Sequence, residues 1–190
     1  MYIKRRIEKE LHDLYKQYAV ITITGPRQSG KTTLVRNNFP NLKYFNLEKP
    51  DVLDFALNDP NSFLAQAKDG MIIDEIQYAP QLLSYIQVIV DETKKIGQFI
   101  LTGSQQFNLM KGVSQSLAGR TALLRVLPFS FYEITDIEKY PLDELMLKGF
   151  YPKVWEENLT PYQAYRDYFE TYIQRDLRDI LNIKDLRDFR

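Results

Sequence analysis

Gly25-Pro26-Arg27-Gln28-Ser29-Gly30-Lys31-Thr32-Thr33 is the stretch that decides the fold of this chain. It fits the pattern G-x-x-x-x-G-K-[ST], and we refer to residues 25–33 as the P-loop. The β-branched run at residues 18–24 predicts a buried strand before it, and residues 33–36 predict a helix that stops before Pro40. Strand, loop and helix in this order bring backbone N–H groups and the positive end of a helix to one point. We therefore expect the loop to bind phosphate.

Two side chains of the P-loop carry the predicted chemistry. Lys31 can reach the β- and γ-phosphates of a nucleotide, and the hydroxyl of Thr32 can ligate Mg²⁺. A glycine-rich turn without function is the alternative, and the strand and helix that flank the loop make it the weaker one. The residues predicted to bind nucleotide are Gly25, Pro26, Arg27, Gln28, Ser29, Gly30, Lys31, Thr32 and Thr33.

Composition limits the class of protein. The chain has 190 residues, of which 44% are hydrophobic, which suffices for one domain with a good core and a small appendage. Lys and Arg together number 25, as do Asp and Glu, so the formal net charge is zero. The chain as a whole therefore does not attract nucleic acid or membrane by its charge, although a local basic patch could still do so. The chain has no cysteine, which excludes disulfides and thiolate metal sites and suits a reducing compartment. The N-terminus does not have the pattern of a signal peptide, and no apolar run reaches membrane-spanning length, so we expect a cytoplasmic protein.

Apolar periodicity and turn residues predict the order of the remaining elements. Strands are predicted at residues 43–47, 70–75, 99–101 and 121–127, and helices at residues 3–18, 50–58, 61–68, 80 onward and 105–118, the last broken at Gly112. Because strands alternate with helices, we predict an α/β fold with a mostly parallel sheet. The only histidine, His12, is predicted to be a solvated residue on the first helix.

Two carboxylates end the predicted strand at residues 70–75. Asp74 can hold Mg²⁺, usually through a water molecule, because Mg²⁺ retains several of its waters. Glu75 can orient and deprotonate a water molecule in line with the γ-phosphate. An acidic turn after a strand is the alternative, and the upstream P-loop makes it the weaker one. We therefore predict Thr32 and Asp74 as metal-site residues and Glu75 as a catalytic residue.

Polar residues also end the next strand along the chain. The hydroxyl of Thr102 or Ser104 can sense the γ-phosphate or hold the attacking water, unless these residues form only a polar turn. Ligands of parallel sheets bind at the carboxyl ends of the strands, where the P-loop, Asp74-Glu75 and residues 102–104 all fall. Arg120, just before the final predicted strand, is either a surface arginine or one that reaches a nucleotide.

The character of the chain changes after about residue 140. Strands stop, residues 149–152 form a predicted turn, and Pro161 opens a long predicted helix with an aromatic stripe. At helical spacing, Trp155 and these tyrosines favour a core or an interface over a base-stacking surface. We predict a P-loop ATPase domain at residues 1–140 and a helical segment at residues 141–190 that begins a second domain. We further expect the chain to be a piece of a longer protein.

The motifs together resemble the AAA-type ATPases of bacteria and archaea, in particular a largely uncharacterised family with a C-terminal domain of unknown function. The resemblance rests on the P-loop, Ile72-Ile73-Asp74-Glu75-Ile76-Gln77, Leu101-Thr102-Gly103-Ser104 and Leu117-Ala118-Gly119-Arg120, followed by Pro128-Phe129-Ser130-Phe131-Tyr132-Glu133. Gly149-Phe150-Tyr151-Pro152 and residues 172–177 resemble the start of the second domain. The resemblance implies a parallel-sheet P-loop NTPase core with helices on both faces, followed by a mostly helical segment. In this sheet, the strand that ends at Ser104 would lie between the P-loop strand and the strand that ends at Asp74.

The same resemblance implies roles for individual residues. Lys31 and Thr32 would bind ATP and Mg²⁺, Asp74 would assist the metal, and Glu75 would activate water. Ser104 or Thr102 would lie between Lys31 and Glu75. Arg120 resembles an arginine finger, which acts on the nucleotide of a neighbouring subunit and so implies a homo-oligomer. Most of the second domain of the family is missing from this chain, which leaves a lid arginine unassigned among Arg166, Arg175 and Arg178.

Three functions fit these expectations. The leading one is ATP hydrolysis that drives or gates an attached domain. The second is a nucleotide-operated switch with little turnover that controls a protein or DNA contact. Only Glu75 favours hydrolysis over the switch. A small-molecule kinase is the third, but nothing in the sequence marks an acceptor pocket. A GTPase is disfavoured, because the chain has no Asn-Lys-x-Asp guanine-reading motif.

Overall fold

The computed structural model describes residues 2–104, 113, 116–157 and 159–172. Its strands are β1 (Val20–Thr24), β2 (Lys43–Asn46), β3 (Met71–Asp74), β4 (Phe99–Gly103) and β5 (Thr121–Arg125). Its α-helices are α1 (Glu8–Tyr15), α2 (Lys31–Asn38), α3 (Pro50–Asn58), α4 (Pro60–Leu64), α5 (Leu82–Thr93), α6 (Leu142–Lys148), α7 (Pro152–Glu156) and α8 (Pro161–Tyr172). Short 3₁₀ helices occupy Ile76–Tyr78, Phe131–Glu133 and Ile137–Lys139.

The five strands form one parallel sheet in the order β2-β3-β4-β1-β5. This order confirms that β4, the strand that leads to Ser104, lies between β1 and β3. The register aligns the strand ends, since Thr24 pairs with Gly103 and Arg125, and Asn46 pairs with Asp74. The carboxyl ends of the strands therefore form one edge, where the P-loop and Asp74 lie.

Helices cover both faces of the sheet, as predicted. Side chains of successive strand residues point to opposite faces, so β1, β2, β3 and β4 each contribute to two hydrophobic clusters, whereas β5 contributes to one. The first cluster joins the sheet to α1 and α2 through Leu11, Ile21, Ile23, Leu34, Val35 and Ile72. The second joins it to α3, α4 and α5 through Val20, Ala56, Phe63, Met71, Leu83 and Ile86. Burial on both faces explains the apolar runs at residues 71–73 of β3 and 99–101 of β4.

The observed bounds differ from the predicted ones by a few residues. The first helix spans Glu8–Tyr15 instead of 3–18, and the helix predicted from Pro80 begins at Leu82. The helix predicted at 105–118 lies largely outside the described residues. His12 lies on α1 as predicted but is only partly exposed: its Nε2 atom lies 2.8 Å from Asn38 Oδ1, and its ring centroid lies 5.1 Å from that of Phe39. The side chain therefore contacts the end of α2 and keeps part of its surface in solvent.

The chain divides into two compact units. One comprises residues 4–26 and 30–127 and contains the sheet; the other comprises residues 1–3, 27–29 and 128–190. The described part of the second unit is mostly helical and has its own core of Phe129, Ile134, Ile137 and Leu145. Across the ranges that the structure covers, no helix is both long enough and apolar enough to cross a membrane.

Aromatic side chains pack inside the second unit. Trp155 lies 5.3 Å from Tyr140, ring centroid to ring centroid, and its Nε1 donates to the Gly149 carbonyl at 2.9 Å. Tyr165 Oη donates to the Lys148 carbonyl at 2.8 Å. Gly149 adopts φ 57° and ψ −161°, and a Cβ there would lie 2.2 Å from Tyr165 Oη. Only glycine fits this turn, and Trp155 and Tyr165 act in packing, as their helical spacing predicts.

Candidate nucleotide-binding site

The P-loop connects the end of β1 to the start of α2. Its backbone adopts positive φ at Gly25 (147°), Gln28 (60°) and Gly30 (89°), conformations that glycine allows and that other residues rarely adopt. No side chain caps the N-terminus of α2. The N-terminal end of a helix carries a positive partial charge, which favours an anion. This geometry suits the phosphate-binding role predicted for residues 25–33.

Lys31, the first residue of α2, folds back over the loop. Its Nζ atom donates to the carbonyl oxygens of Gly25 at 3.1 Å and Pro26 at 2.9 Å, and the residue is only 5% exposed. The ammonium group is thus held at the loop by backbone acceptors. A triphosphate, which carries full negative charge, would compete effectively with these neutral carbonyls.

Asp74 is the polar centre of the site. It is 3% exposed, and its carboxylate accepts hydrogen bonds from the hydroxyls of Thr32, Tyr44 and Thr102. Thr32 Oγ1 lies 2.9 Å from Oδ2 and 3.1 Å from Oδ1, and Tyr44 Oη lies 2.6 Å from Oδ2. These donors compensate for the burial of a carboxylate, which would be costly without them.

Sequence analysis did not identify Tyr44. It lies on β2, where it pairs with Ile72, two residues before Asp74, so Tyr44 and Asp74 lie on the same face of neighbouring strands. The Arg36 guanidinium lies 4.9 Å above its ring. Burial and the hydrogen bond to Asp74 raise the pKa of the Tyr44 hydroxyl, which keeps it protonated and donating. Only the pairing of β2 with β3 could have indicated this contact.

Glu75 turns away from Asp74 immediately after the strand. Its backbone is left-handed, with φ 59° and ψ 49°, a conformation that is strained for a residue with a Cβ and that recurs at functional sites. Its Oε2 atom accepts hydrogen bonds from Ser104 Oγ at 3.0 Å and from Gln77 Nε2. The structure therefore brings together Glu75 and Ser104, which the sequence predicts as catalytic residues.

Thr102 connects the two carboxylates. Its hydroxyl donates to Asp74 and accepts from the backbone N–H of Glu75 at 3.3 Å. Thr102 is fully buried at the end of β4, between β1 and β3. Of the two hydroxyls considered at this strand end, Thr102 contacts the predicted metal residue and Ser104 the predicted base.

Arg120 lies near the amino ends of the strands, whereas the P-loop lies at their carboxyl ends. It precedes β5, whose first residue, Thr121, pairs with Val20, the first residue of β1. The length of β1 therefore separates Arg120 from the P-loop of its own chain, about 13 Å at the usual rise per residue. Arg120 Nε and Nη2 contact the Asp91 carboxylate of α5 at 2.6 and 2.8 Å. This bidentate contact lowers the pKa of Asp91 and raises that of Arg120. The structure thus places Arg120 away from the other predicted catalytic residues of the same chain.

Of the three candidate lid arginines, Arg166 lies among the described residues. Arg166 lies on α8, where it is exposed, and its Nη2 atom donates to Gln163 at 3.0 Å. Arg175 and Arg178 lie outside the described residues.

The oxygens around Asp74 suit a magnesium ion. Mg²⁺ prefers oxygen ligands and is usually held by one or two protein groups, nucleotide phosphates and waters. The Thr32 hydroxyl and the Asp74 carboxylate lie together beside the P-loop. In the part of the chain that the structure describes, no group of three or more His, Asp or Glu residues could hold a metal by itself. The Thr32 hydroxyl and the Asp74 carboxylate fit an ion that is also bound by a nucleotide.

Comparison with known proteins agrees with this geometry. Residues 17–135 match the family described as AAA domain, and residues 140–190 match the family described as Domain of unknown function (DUF8612). An uncharacterized protein of Mycobacterium tuberculosis is 33% identical over 180 residues, which cover 92% of this chain and 39% of the relative. An uncharacterized protein of Methanocaldococcus jannaschii is 26% identical over 200 residues, covering 88% of this chain and 44% of the relative. The chain thus spans about two fifths of the length of the curated relatives it matches.

Two solved structures support the fold as well. The Walker-type ATPase of Pyrococcus abyssi superimposes with a TM-score of 0.63 at 15% identity, covering 94% of this chain and 75% of that one. AMPPCP-bound DnaA of Aquifex aeolicus superimposes with a TM-score of 0.53 at 16% identity, covering 93% and 63%. At these identities the similarity establishes the P-loop NTPase fold, and function has to be argued from the site.

Proposed function

The chain belongs to the AAA domain family, and on that premise we propose that it binds Mg·ATP and hydrolyses it. The observation that carries the proposal is the divergence of two consecutive carboxylates. Asp74 contacts Thr32 of the P-loop helix, whereas Glu75 turns through a left-handed residue to Ser104. One carboxylate is thus beside the residue expected to ligate the metal, and the other is separate from it and able to act on water.

Binding would use the P-loop. The N–H groups at the start of α2 and the Lys31 ammonium would hold the β- and γ-phosphates. Thr32 and Asp74 would hold Mg²⁺, Asp74 most simply through a water molecule. The metal, when bound, would neutralise charge on the phosphate oxygens. Support for an adenine nucleotide comes from the family and from the AMPPCP-bound state of the DnaA of similar fold.

Hydrolysis would use Glu75 as the base. A water oxygen attacks the γ-phosphorus, the bond from that phosphorus to the bridging oxygen breaks, and ADP and phosphate form. One proton of the water passes to the Glu75 carboxylate. Ser104 Oγ, at 3.0 Å from Glu75 Oε2, would orient the carboxylate for this transfer.

Arg120 would act in a neighbouring subunit. Its own P-loop is at the opposite edge of the sheet, so only a second copy of the chain could bring it to a γ-phosphate. We therefore include a homo-oligomer in the proposal, with Arg120 leaving Asp91 on assembly or held in place by it. In the whole protein, ATP hydrolysis would act on the second domain and on a protein or DNA partner.

A nucleotide-operated switch with little turnover is the second candidate. Four hydrogen bonds favour it: Ser104 and Gln77 each donate to Glu75, and Lys31 donates to two loop carbonyls. A chain held this way would bind ATP and wait for a partner before hydrolysis.

Phosphate release during a single turnover tests these functions. The chain, in excess over radiolabelled ATP, should release inorganic phosphate with Mg²⁺ and not with EDTA. The Glu75→Gln variant should bind ATP but release no phosphate. Binding without release in the parental chain would favour the switch. Transfer of the label to an added small-molecule acceptor in place of water would contradict hydrolysis and support a kinase.

A further inference from the structure

Gln77 has a buried acceptor beside the predicted base. It lies in the 3₁₀ helix Ile76–Tyr78, and its Nε2 atom donates to Glu75 Oε2. Its Oε1 atom is buried and has no hydrogen-bond partner among the residues that the structure describes. A buried carbonyl oxygen without a donor is unfavourable, and such groups in native proteins usually have a functional or solvent partner.

The chemistry of Glu75 determines which way the amide faces. An ionised carboxylate only accepts hydrogen bonds, so the amide group that faces it must be the NH₂. The carbonyl oxygen of Gln77 then necessarily points elsewhere. Rotating the amide would satisfy neither group, because it would place two acceptors against each other. The free acceptor is thus a consequence of the contact with Glu75.

We propose that Gln77 is a further catalytic residue, whose Oε1 atom binds the attacking water; this inference rests on the proposed hydrolysis. A nucleophilic water has two hydrogens and needs a lone pair directed at the phosphorus. Glu75 accepts one hydrogen and removes it as the proton. Gln77 accepts the other as a hydrogen bond and retains no proton, so both lone pairs of the water stay free and one of them can be directed at the phosphorus.

The contact between the two side chains makes this arrangement specific. Because Nε2 is tied to Glu75 Oε2, the two acceptors are held at a defined separation, and the left-handed backbone of Glu75 places both after β3. Ser104 also donates to Oε2, and its hydroxyl oxygen keeps lone pairs that could accept a hydrogen bond as well. Gln77 differs from it in presenting a carbonyl oxygen that has no hydrogen-bond partner among the described residues.

A role limited to orienting Glu75 is the competing explanation. Gln77 and Ser104 both donate to the same carboxylate oxygen, so loss of either donor should then have a similar effect. If Gln77 also binds the water, its loss should cost more than the loss of Ser104. Three variants separate these roles: Gln77→Met, Ser104→Ala and, as a matched control, Gln81→Met at the exposed start of α5.

Each variant is measured in three ways. AMPPCP binding reports the ground state, ADP with aluminium fluoride reports a complex that includes the in-line water, and phosphate release reports turnover. We expect Gln77→Met to keep AMPPCP affinity within about twofold, to lower turnover roughly 10²-fold, and to weaken the aluminium fluoride complex by a comparable factor. Ser104→Ala should lose less turnover and less affinity for the aluminium fluoride complex than Gln77→Met does. Gln81→Met should match the parent in all three measurements.

Several results would overturn the proposal. Turnover of Gln77→Met within threefold of the parent, or losses equal to those of Ser104→Ala, would leave Gln77 no part in binding water. Gln77→Leu removes the same two groups with another shape, and loss of AMPPCP binding in both apolar variants would indicate a structural role only. If the parent binds AMPPCP but never releases phosphate, the proposed hydrolysis itself is wrong. If the parent hydrolyses ATP and substitution of Gln77 does not change turnover, the inference about Gln77 is wrong while the proposed hydrolysis stands.

Discussion

Tyr44 Oη donates a hydrogen bond of 2.6 Å to Asp74 Oδ2, from one strand of the sheet to its neighbour. The tyrosine ring is covered by Arg36, which lies on the same helix as Thr32. The hydroxyl thus supports the carboxylate from the side opposite β4, where Thr102 provides another donor. A metal-site residue held on both sides is expected to have little freedom to rotate.

Tyr44→Phe should therefore weaken the use of Mg²⁺ more than the binding of nucleotide. The change removes only the hydroxyl and keeps the ring under Arg36. Loss of such a supporting contact typically lowers metal affinity about 10-fold or more. We expect the Mg²⁺ concentration at half-maximal turnover to rise by about that factor, with nucleotide binding in EDTA unchanged. Tyr85→Phe, on the exposed side of α5, is the control; a Tyr44 variant that titrates with Mg²⁺ like this control would contradict the supporting role.

Lys31→Ala should abolish ATP binding. The lysine supplies the main side-chain charge of the P-loop, and its ammonium is already held at the loop by Gly25 and Pro26. Mg·ATP at about 100 times its dissociation constant should stabilise the parent by roughly 2.7 kcal/mol and the variant hardly at all. Thermal unfolding with and without Mg·ATP measures the difference, with Lys9→Ala on the exposed side of α1 as the control. Equal shifts for Lys31→Ala and the parent would show that the lysine does not contact the nucleotide.

Glu75→Gln should separate binding from chemistry. Glutamine keeps the size of the side chain but loses the base, so we expect ATP affinity near that of the parent and hydrolysis roughly 10²–10⁴-fold slower. Glu92→Gln, exposed near the end of α5, should behave like the parent. Single-turnover phosphate release measures the rate of hydrolysis of both variants. Turnover of Glu75→Gln at the parental rate would exclude Glu75 as the base.

Arg120 and Asp91 allow a matched comparison, because each is the ion-pair partner of the other. If Arg120 is a finger that acts on a neighbouring subunit, Arg120→Ala should lower turnover about 10³-fold or more, whereas Asp91→Ala should lower it far less. Specific activity of the parent should also rise with protein concentration. Measuring phosphate release across a dilution series tests all three expectations.

Mixing provides the control for that prediction. Arg120→Ala and Glu75→Gln chains, each deficient alone, should regain some activity together, since a mixed interface pairs an intact Glu75 with an intact Arg120. A surface arginine predicts the opposite: equal, small effects of Arg120→Ala and Asp91→Ala, turnover independent of concentration, and no recovery on mixing.

Gly149→Ala should destabilise the second unit. A Cβ there would meet Tyr165 Oη at 2.2 Å, and φ 57° with ψ −161° is a conformation that only glycine adopts readily. We expect a loss of about 1–3 kcal/mol in unfolding free energy, measured by denaturant titration. The double variant Gly149→Ala with Tyr165→Phe relieves the contact but not the backbone, so it should recover only part of the loss. Full recovery would mean that the backbone conformation contributes nothing.

Much of the fold could be predicted from the chain alone. The P-loop lies between a β-branched strand and a helix, and its identity as a phosphate-binding loop depends on residues adjacent in sequence. The alternation of strands and helices predicts the parallel sheet, and the resemblance to AAA-type ATPases places β4 between β1 and β3. The division into domains at residue 140 and the roles of individual site residues stay predictions.

The contacts that complete the candidate site depend on tertiary structure. Tyr44 reaches Asp74 because β2 pairs with β3 in a particular register, which local sequence does not specify. Gln77 Oε1 has no hydrogen-bond partner among the described residues because Glu75, in a left-handed turn, takes the amide NH₂. Arg120 is at the far edge of the sheet, beside Asp91, because β5 starts level with β1.

The sequence by itself determined which segments become the strands, the P-loop and its helix, because periodicity, glycine positions and β-branched runs act on neighbouring residues. The tertiary structure alone decided which side chains share a hydrogen bond around Asp74 and Glu75. These partners are 27 to 42 residues apart in the chain for Thr102 with Glu75, Ser104 with Glu75, Tyr44 with Asp74 and Thr32 with Asp74. Their meeting depends on the order and register in which the strands pack, a property of the whole sheet.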